Sequence, residues 1–256
     1  PTSATFVPAE KSPDGNPRLY LGAYVAEGGH GLQWVKPDGT KIGGQGWIGG
    51  NWTGAQTLAT DLGKNAIADD ICYAGSIWEG ELRISAKTRT QDRAVIKEPL
   101  GEDKFEHGQS HHEGVPVLKG FDGGERRIVL AGIAAHDGII AASFIRQNEI
   151  VFVDAKEGKI LSREASEDPR GIAFDSSGRL LVLSGNSLIR HTIDGLPETP
   201  VLSQAEILVS GLEDPRGLAL DPEGNLYVSD RGRSHQVKVF SPDGKPTAAI
   251  GKPGPP

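Results

Sequence analysis

Short runs in which apolar and polar residues alternate recur along the chain, at 18–25, 31–35, 70–77, 81–87, 128–134, 139–145, 149–153, 179–183, 188–193, 225–229 and 236–240. That two-residue period is the signature of strands with one face buried. The runs are separated by turn chemistry such as Lys36-Pro37-Asp38-Gly39, Ser176-Ser177-Gly178, Asp194-Gly195, Pro222-Glu223-Gly224 and Asp243-Gly244. Tight Gly and Asp turns between alternating runs predict antiparallel hairpins.

The runs are organised by a repeat. Asp168-Pro169-Arg170-Gly171-Ile172-Ala173-Phe174-Asp175 returns 46 residues later as Asp214-Pro215-Arg216-Gly217-Leu218-Ala219-Leu220-Asp221. Each copy leads into a turn, a strand, a polar bend, a second alternating strand, an Asp-Gly turn and a last strand. Four strands in about 45 residues make one propeller blade. Second strands are expected to begin near 18, 70, 139, 179 and 225, which gives five blades, at about 1–50, 51–99, 125–165, 166–211 and 212–252. The wide gap between the second and third requires an insertion at 100–124. The expectation is an all-β chain, a β-propeller of four-stranded blades over 1–252, with six blades if residues outside this chain complete it. A β-sandwich is the alternative, and it leaves the repeat a coincidence.

Composition narrows the field. The chain has 256 residues, 35 of them Gly and 17 Pro, a density of breakers that argues against a helical bundle. An apolar content of 37% is enough for a sizeable core. A net charge of −7 without a basic stripe argues against a nucleic-acid partner, and no apolar run is long enough to suggest a membrane span. Cys72 is the only cysteine, so neither an intrachain disulfide nor a cysteine-based zinc site is available. The opening Pro1-Thr2-Ser3 and the closing Gly251-Lys252-Pro253-Gly254-Pro255-Pro256 are expected to mark a piece of a larger protein, with a linker beginning at 253–256.

The two best units, running through Leu226-Tyr227-Val228-Ser229-Asp230, resemble the NHL-repeat family closely over 168–256 and less closely before. The N-terminal runs at 24–32 and 44–54 also look like large secreted bacterial multi-domain proteins. The NHL resemblance implies a propeller but no single activity, because relatives include protein- and RNA-binding modules, lyases and lactonase-like enzymes. In propellers, ligand sites usually lie on the face formed by the crossovers between blades and the bends between second and third strands. Here that face would collect Glu27, His30, Trp47, Asn51, Trp52, Trp78, Glu79, Arg231, Arg233 and His235. The insertion would add His107, His111 and His112. His136 would fall in the turns of the opposite face, as a structural residue.

The residue after Pro in each repeat is the most informative position. In amidating lyases with NHL-like repeats the resemblance implies a metal-binding His there, and in lactonase-like propellers an Asn or Asp. The slot in this sequence reads Gln56, Ala131, Arg170 and Arg216. A guanidinium cannot ligate a metal. Arg170 and Arg216 would instead hold an anionic group, or pair with Asp168 and Asp214 or with a neighbouring blade. In 106–113, His107, His111 and His112 are the candidate ligands for a divalent metal, against a solvated loop as the alternative. No catalytic motif of the nucleophile-elbow or P-loop type is present.

The expectation is a non-enzymatic recognition or scaffold propeller of a larger secreted or cell-envelope protein, with a protein or polysaccharide as partner. Its candidate contacts are Glu27, His30, Trp47, Trp52, Gln56, Arg170, Arg216, Arg231 and His235. No cofactor is predicted. The alternative is a metal-dependent lyase or lactonase-like hydrolase, with ligands drawn from His30, His111, His112, Glu27 or His235.

Overall fold

The computed structural model describes residues 2–23, 31–49, 54–78, 80–100 and 129–254. Among them there is no helix. The strands, in chain order, are Ser3–Val7 (β1), Arg18–Gly22 (β2), Leu32–Val35 (β3), Lys41–Gln45 (β4), Thr57–Ala59 (β5), Asp70–Trp78 (β6), Glu81–Thr88 (β7), Arg93–Pro99 (β8), Leu130–His136 (β9) and Ile139–Phe144 (β10). They continue with Glu149–Asp154 (β11), Lys159–Ala165 (β12), Pro169–Phe174 (β13), Leu180–Ser184 (β14), Ser187–Asp194 (β15), Val201–Val209 (β16), Pro215–Leu220 (β17), Leu226–Asp230 (β18), Gln236–Phe240 (β19) and Pro246–Ile250 (β20).

Each successive four form one antiparallel meander, giving five sheets that are the blades of a β-propeller. The second strands begin at Arg18, Asp70, Ile139, Leu180 and Leu226. Five blades are present among the described residues, not six. The count follows from the strands themselves, since no strand among the described residues is left over to begin another sheet. The expected insertion lies outside the described residues, apart from Leu100.

The chain divides into two compact units: Pro1–Leu130 with Ala135–Gly138 and Asp154–Lys159, and Ala131–Ala134 with Ile139–Val153 and Ile160–Pro256. In the first unit, β1 packs on β5. The inward residues of the first sheet (Val7, Tyr20, Leu32) meet Leu58, Ile71, Cys72 and Ala74 of the second. Tyr20 stacks on Trp34 at 5.6 Å between ring centroids. Asp61, almost wholly buried, accepts the amides of Gly63, Asp137 and Gly138 at 2.8, 3.0 and 2.7 Å. A buried carboxylate is tolerable here because backbone donors surround it.

In the second unit β13 lies against β10 of the preceding sheet and against β17 of the following one. The third residues of the innermost strands β9, β13 and β17 are Gly132, Gly171 and Gly217. A Cβ at Gly171 would lie 2.7 Å from the Arg216 carbonyl oxygen and 3.0 Å from the Leu218 nitrogen. Backbone meets backbone there, and only glycine leaves room. Two apolar clusters fill the rest: Ile150, Phe152, Ile172, Leu180 and Val182 in one, Leu183, Leu188, Leu226, Val228 and Phe240 in the other. The outward face of the fifth sheet is uncovered, with Gly217, Ala219 and all of β20 exposed.

Candidate functional site

The repeated Asp-Pro-Arg-Gly segment builds a continuous polar assembly in the second unit. In both copies the pairing of the innermost strand with its neighbour slips, between Pro169 and Ile172 and between Pro215 and Gly217. Such bulges re-aim the side chains they carry. Each copy therefore starts with an irregular arginine at the loop end of an otherwise regular strand. Asp168 enters with a positive φ of 40°, a conformation Asp tolerates better than most residues.

The arginines and aspartates form a ladder. Arg170 donates from Nε (3.2 Å) and Nη2 (2.9 Å) to Asp168 Oδ2. From Nη1 it donates to Asp214 Oδ1 at 2.8 Å and to the Pro215 carbonyl at 3.1 Å. Asp214 is then shared, because Arg216 Nη2 reaches its two oxygens at 2.9 and 3.1 Å. The sequence offered two pairings for each arginine, its own aspartate or a neighbouring blade, and Arg170 makes both. Burial opposes the charge on Arg170, but its bonds to Asp168 and Asp214 outweigh that and raise its pKa further. Burial likewise works against the Asp214 carboxylate, yet Arg216 and Arg170 hold its pKa below the ordinary value. Arg170 and Asp214 are therefore each held in the charged form by the other.

The neighbouring loop is pinned from below. Asp230, fully buried, accepts the amides of Glu213, Asp214 and Gly232 at 3.1, 2.7 and 3.3 Å and Lys238 Nζ at 2.6 Å. Burial pushes its pKa up, but these donors win and bring it down to about 2. The Arg231 amide donates to the Asp214 carbonyl at 2.9 Å, and the Arg233 amide to Glu213 Oε2. Arg231, Arg233 and His235 are exposed on this loop, with the Arg233 side chain 94% accessible. The sequence did not reveal Asp230 or Lys238 as parts of the assembly.

The other candidates have different surroundings. Gln56 is buried, and its Oε1 accepts the Ile77 amide at 2.9 Å, so its oxygen is committed to the sheet. Ala131 offers no donor atom. Trp47 meets Trp78 edge-on, with ring centroids 5.9 Å apart and planes at 81°. His136 ends β9 with Nε2 3.8 Å from Asp137 Oδ2. Glu27, His30, Asn51, Trp52, Glu79, His107, His111 and His112 lie outside the described residues. Among the described residues no group of three or more His, Cys, Asp or Glu is arranged to hold a metal ion. The residues of the inner-strand slots do not fit a divalent cation, since two carry fixed positive charge, one is committed and one is an alanine.

Residues 212–240 match the NHL repeat model. No curated protein matches the sequence. Among solved structures the chain is similar to luciferin-regenerating enzyme, at 13% identity and a TM-score of 0.52, covering 93% of this chain and 73% of that one. It is similar to a protein proposed to be a gluconolactonase, at 16% identity and a TM-score of 0.55, covering 99% and 78%. A third is a protein from Bacteroides uniformis proposed to be a 6-phosphogluconolactonase, at 15% identity and a TM-score of 0.57, covering 91% and 67%. At these identities the likeness is one of fold. Five consecutive four-stranded meanders make this chain a β-propeller, and the last of them carries the segment that matches the NHL repeat.

Proposed function

We propose that this chain is a non-catalytic recognition propeller, part of a larger secreted or cell-envelope protein. It binds a protein or polysaccharide partner on the end that carries the crossovers between blades. One observation carries the reading. The inner-strand slots, where enzymatic relatives are expected to keep metal ligands, hold Arg170 and Arg216 in a ladder with Asp168 and Asp214. A guanidinium cannot ligate a cation, and Arg216 keeps hydrogen-bond donors for anionic or polar groups. No helix among the described residues is long and apolar enough to cross a membrane.

A second reading, a lactonase-like hydrolase, draws on the names of two of the similar structures. It would have to recruit its metal from residues other than the inner-strand slots, such as His111 and His112. Two measurements on the purified chain separate the readings. Stoichiometric zinc or calcium, together with lactone hydrolysis that is lost in His111→Ala/His112→Ala, would establish the hydrolase. A ligand on glycan or protein arrays, with no turnover, is the expected result; no ligand on either array would sink the recognition reading.

A further inference from the structure

The two arginines of the repeat are chemically equivalent in sequence and unequal in structure. Arg170 has an acid behind it and an acid ahead of it: Asp168 on Nε and Nη2, Asp214 on Nη1. Arg216 has only the acid behind. Its Nη2 meets Asp214, its Nε is buried without a hydrogen-bond partner, and no bond from its Nη1 is recorded among the described residues. The cause is visible in the ladder. Asp214 turns Oδ1 toward Arg170, so it cannot grip Nε and Nη2 of Arg216 as Asp168 grips those of Arg170. A guanidinium with donors to spare is costly to leave unanswered.

We propose that Arg216 receives a carboxylate from an acidic peptide of a protein partner, continuing the alternation Asp168, Arg170, Asp214, Arg216. The inference rests on the recognition reading above and names the chemistry of its ligand. The position is open: the Arg216 side chain is 28% accessible, against 15% for Arg170, whose forward acid is already in place. The geometry to be filled is the one Asp214 supplies to Arg170, a carboxylate oxygen about 2.8 Å from Nη1.

The peptide is favoured over a single small carboxylate by what lies beside the ladder. The loop leaving Asp230 exposes Arg231, Arg233 and His235 at every second position, and the Arg231 amide is tied to Asp214. Two exposed guanidiniums within a few residues of the ladder suit a partner that carries several acids rather than one. The fixed charges of Arg231 and Arg233 would also steer such a segment to the site.

The test uses the full chain and a fluorescein-labelled hexaglutamate peptide, read by anisotropy. Arg216→Gln is expected to weaken binding by about tenfold or more, the scale of a lost charged anchor. Arg216→Lys, which keeps the charge but not the fork, should fall between. Lys245→Gln removes an equal charge from the turn between β19 and β20, away from the crossover end, and should bind as the parent does. Thermal unfolding of each variant checks its fold, with Arg216→Lys as the second variant if the glutamine protein unfolds. No peptide binding, or equal loss in Arg216→Gln and Lys245→Gln, overturns the proposal. Displacement by succinate at equal carboxylate concentration would assign the site to free carboxylates, and tighter binding of oligogalacturonate would assign it to an acidic polysaccharide. Both results refute the peptide. An array partner whose affinity ignores Arg216→Gln refutes this inference alone and leaves the recognition reading intact.

Discussion

Replacing Gly171 by alanine tests how the blades of the second unit are held together. The added Cβ would sit 2.7 Å from the Arg216 carbonyl oxygen, 3.0 Å from the Leu218 nitrogen and 3.1 Å from the Gly217 Cα. All three are backbone atoms of β17, so no side chain can swing aside. Restoring ordinary contact requires β13 and β17 to part by roughly 0.5–1 Å, a gap that forfeits a quarter to a half of the dispersion energy of the contacts it opens. Overpacking of this kind costs about 1–3 kcal/mol. The reduced freedom of the unfolded chain returns about 0.4–1 kcal/mol, because the backbone at Gly171 needs no left-handed conformation. The net expectation is a loss of roughly 1–2 kcal/mol, or a fall of about 2–8 °C in the unfolding midpoint.

Two controls share the same strand position. Gly132→Ala meets Ile172 N at 3.3 Å, and the nearest atom to Gly217→Ala is the Ser229 Oγ at 3.0 Å, whose bond from the Gly217 amide at 2.8 Å need lengthen only slightly to admit it. Both should stay within about 0.5 kcal/mol of the parent. The measurement is urea unfolding followed by circular dichroism. Equal midpoints for Gly171→Ala and Gly132→Ala would refute the claim that backbone contact sets the spacing of these sheets.

Three further outcomes follow from the same geometry. Asp230→Asn should cost about 2 kcal/mol at neutral pH, because a carboxylate held near a pKa of about 2 gains that much over its unfolded value. Since its folded pKa is depressed, the contribution is present above the unfolded value of about 4 and disappears as pH falls toward 2; a parent–variant difference that persists at pH 2 would refute it. Arg170→Gln strands the Asp168 carboxylate and leaves Asp214 with Arg216 alone; it should cost about 1–3 kcal/mol in the same urea assay, clearly more than Arg216→Gln, which gives up a single partner. Cys72 is fully buried and its thiol is pushed up to about 12, so a thiol reagent at pH 8 should modify it only after unfolding. Stoichiometric labelling of the native protein would contradict the packing around it.

What the sequence disclosed depended on how sharply each feature was written in local chemistry. The blades at 169–209 and 215–250 were legible because each strand break coincides with a Gly or Asp turn. The first blade was half hidden: Lys41–Gln45 reads Lys-Ile-Gly-Gly-Gln, without alternation, and becomes a strand only by pairing with β3. The second blade opens with Thr57–Ala59, too short to register as a period. At the site, the repeat pointed to Arg170 and Arg216, but not to the bulges that distinguish their strands or to the sharing of Asp214. Sharing is a tertiary event between residues 44 apart. Gln56 looked like an available ligand because nothing local reveals that the Ile77 amide claims its oxygen.

The carboxylate of Asp61 also decides where this protein can be cut. Two of its three amide donors come from Asp137 and Gly138, well past the end of the second sheet. A shorter version ending after Leu100 would keep eight strands and lose those donors. It would expose the region around an interior anion whose neutralising contacts are encoded downstream. Anyone trimming the chain to a minimal expressible piece should therefore carry it through the 137–138 hairpin, even though the sheet arithmetic alone invites stopping sooner.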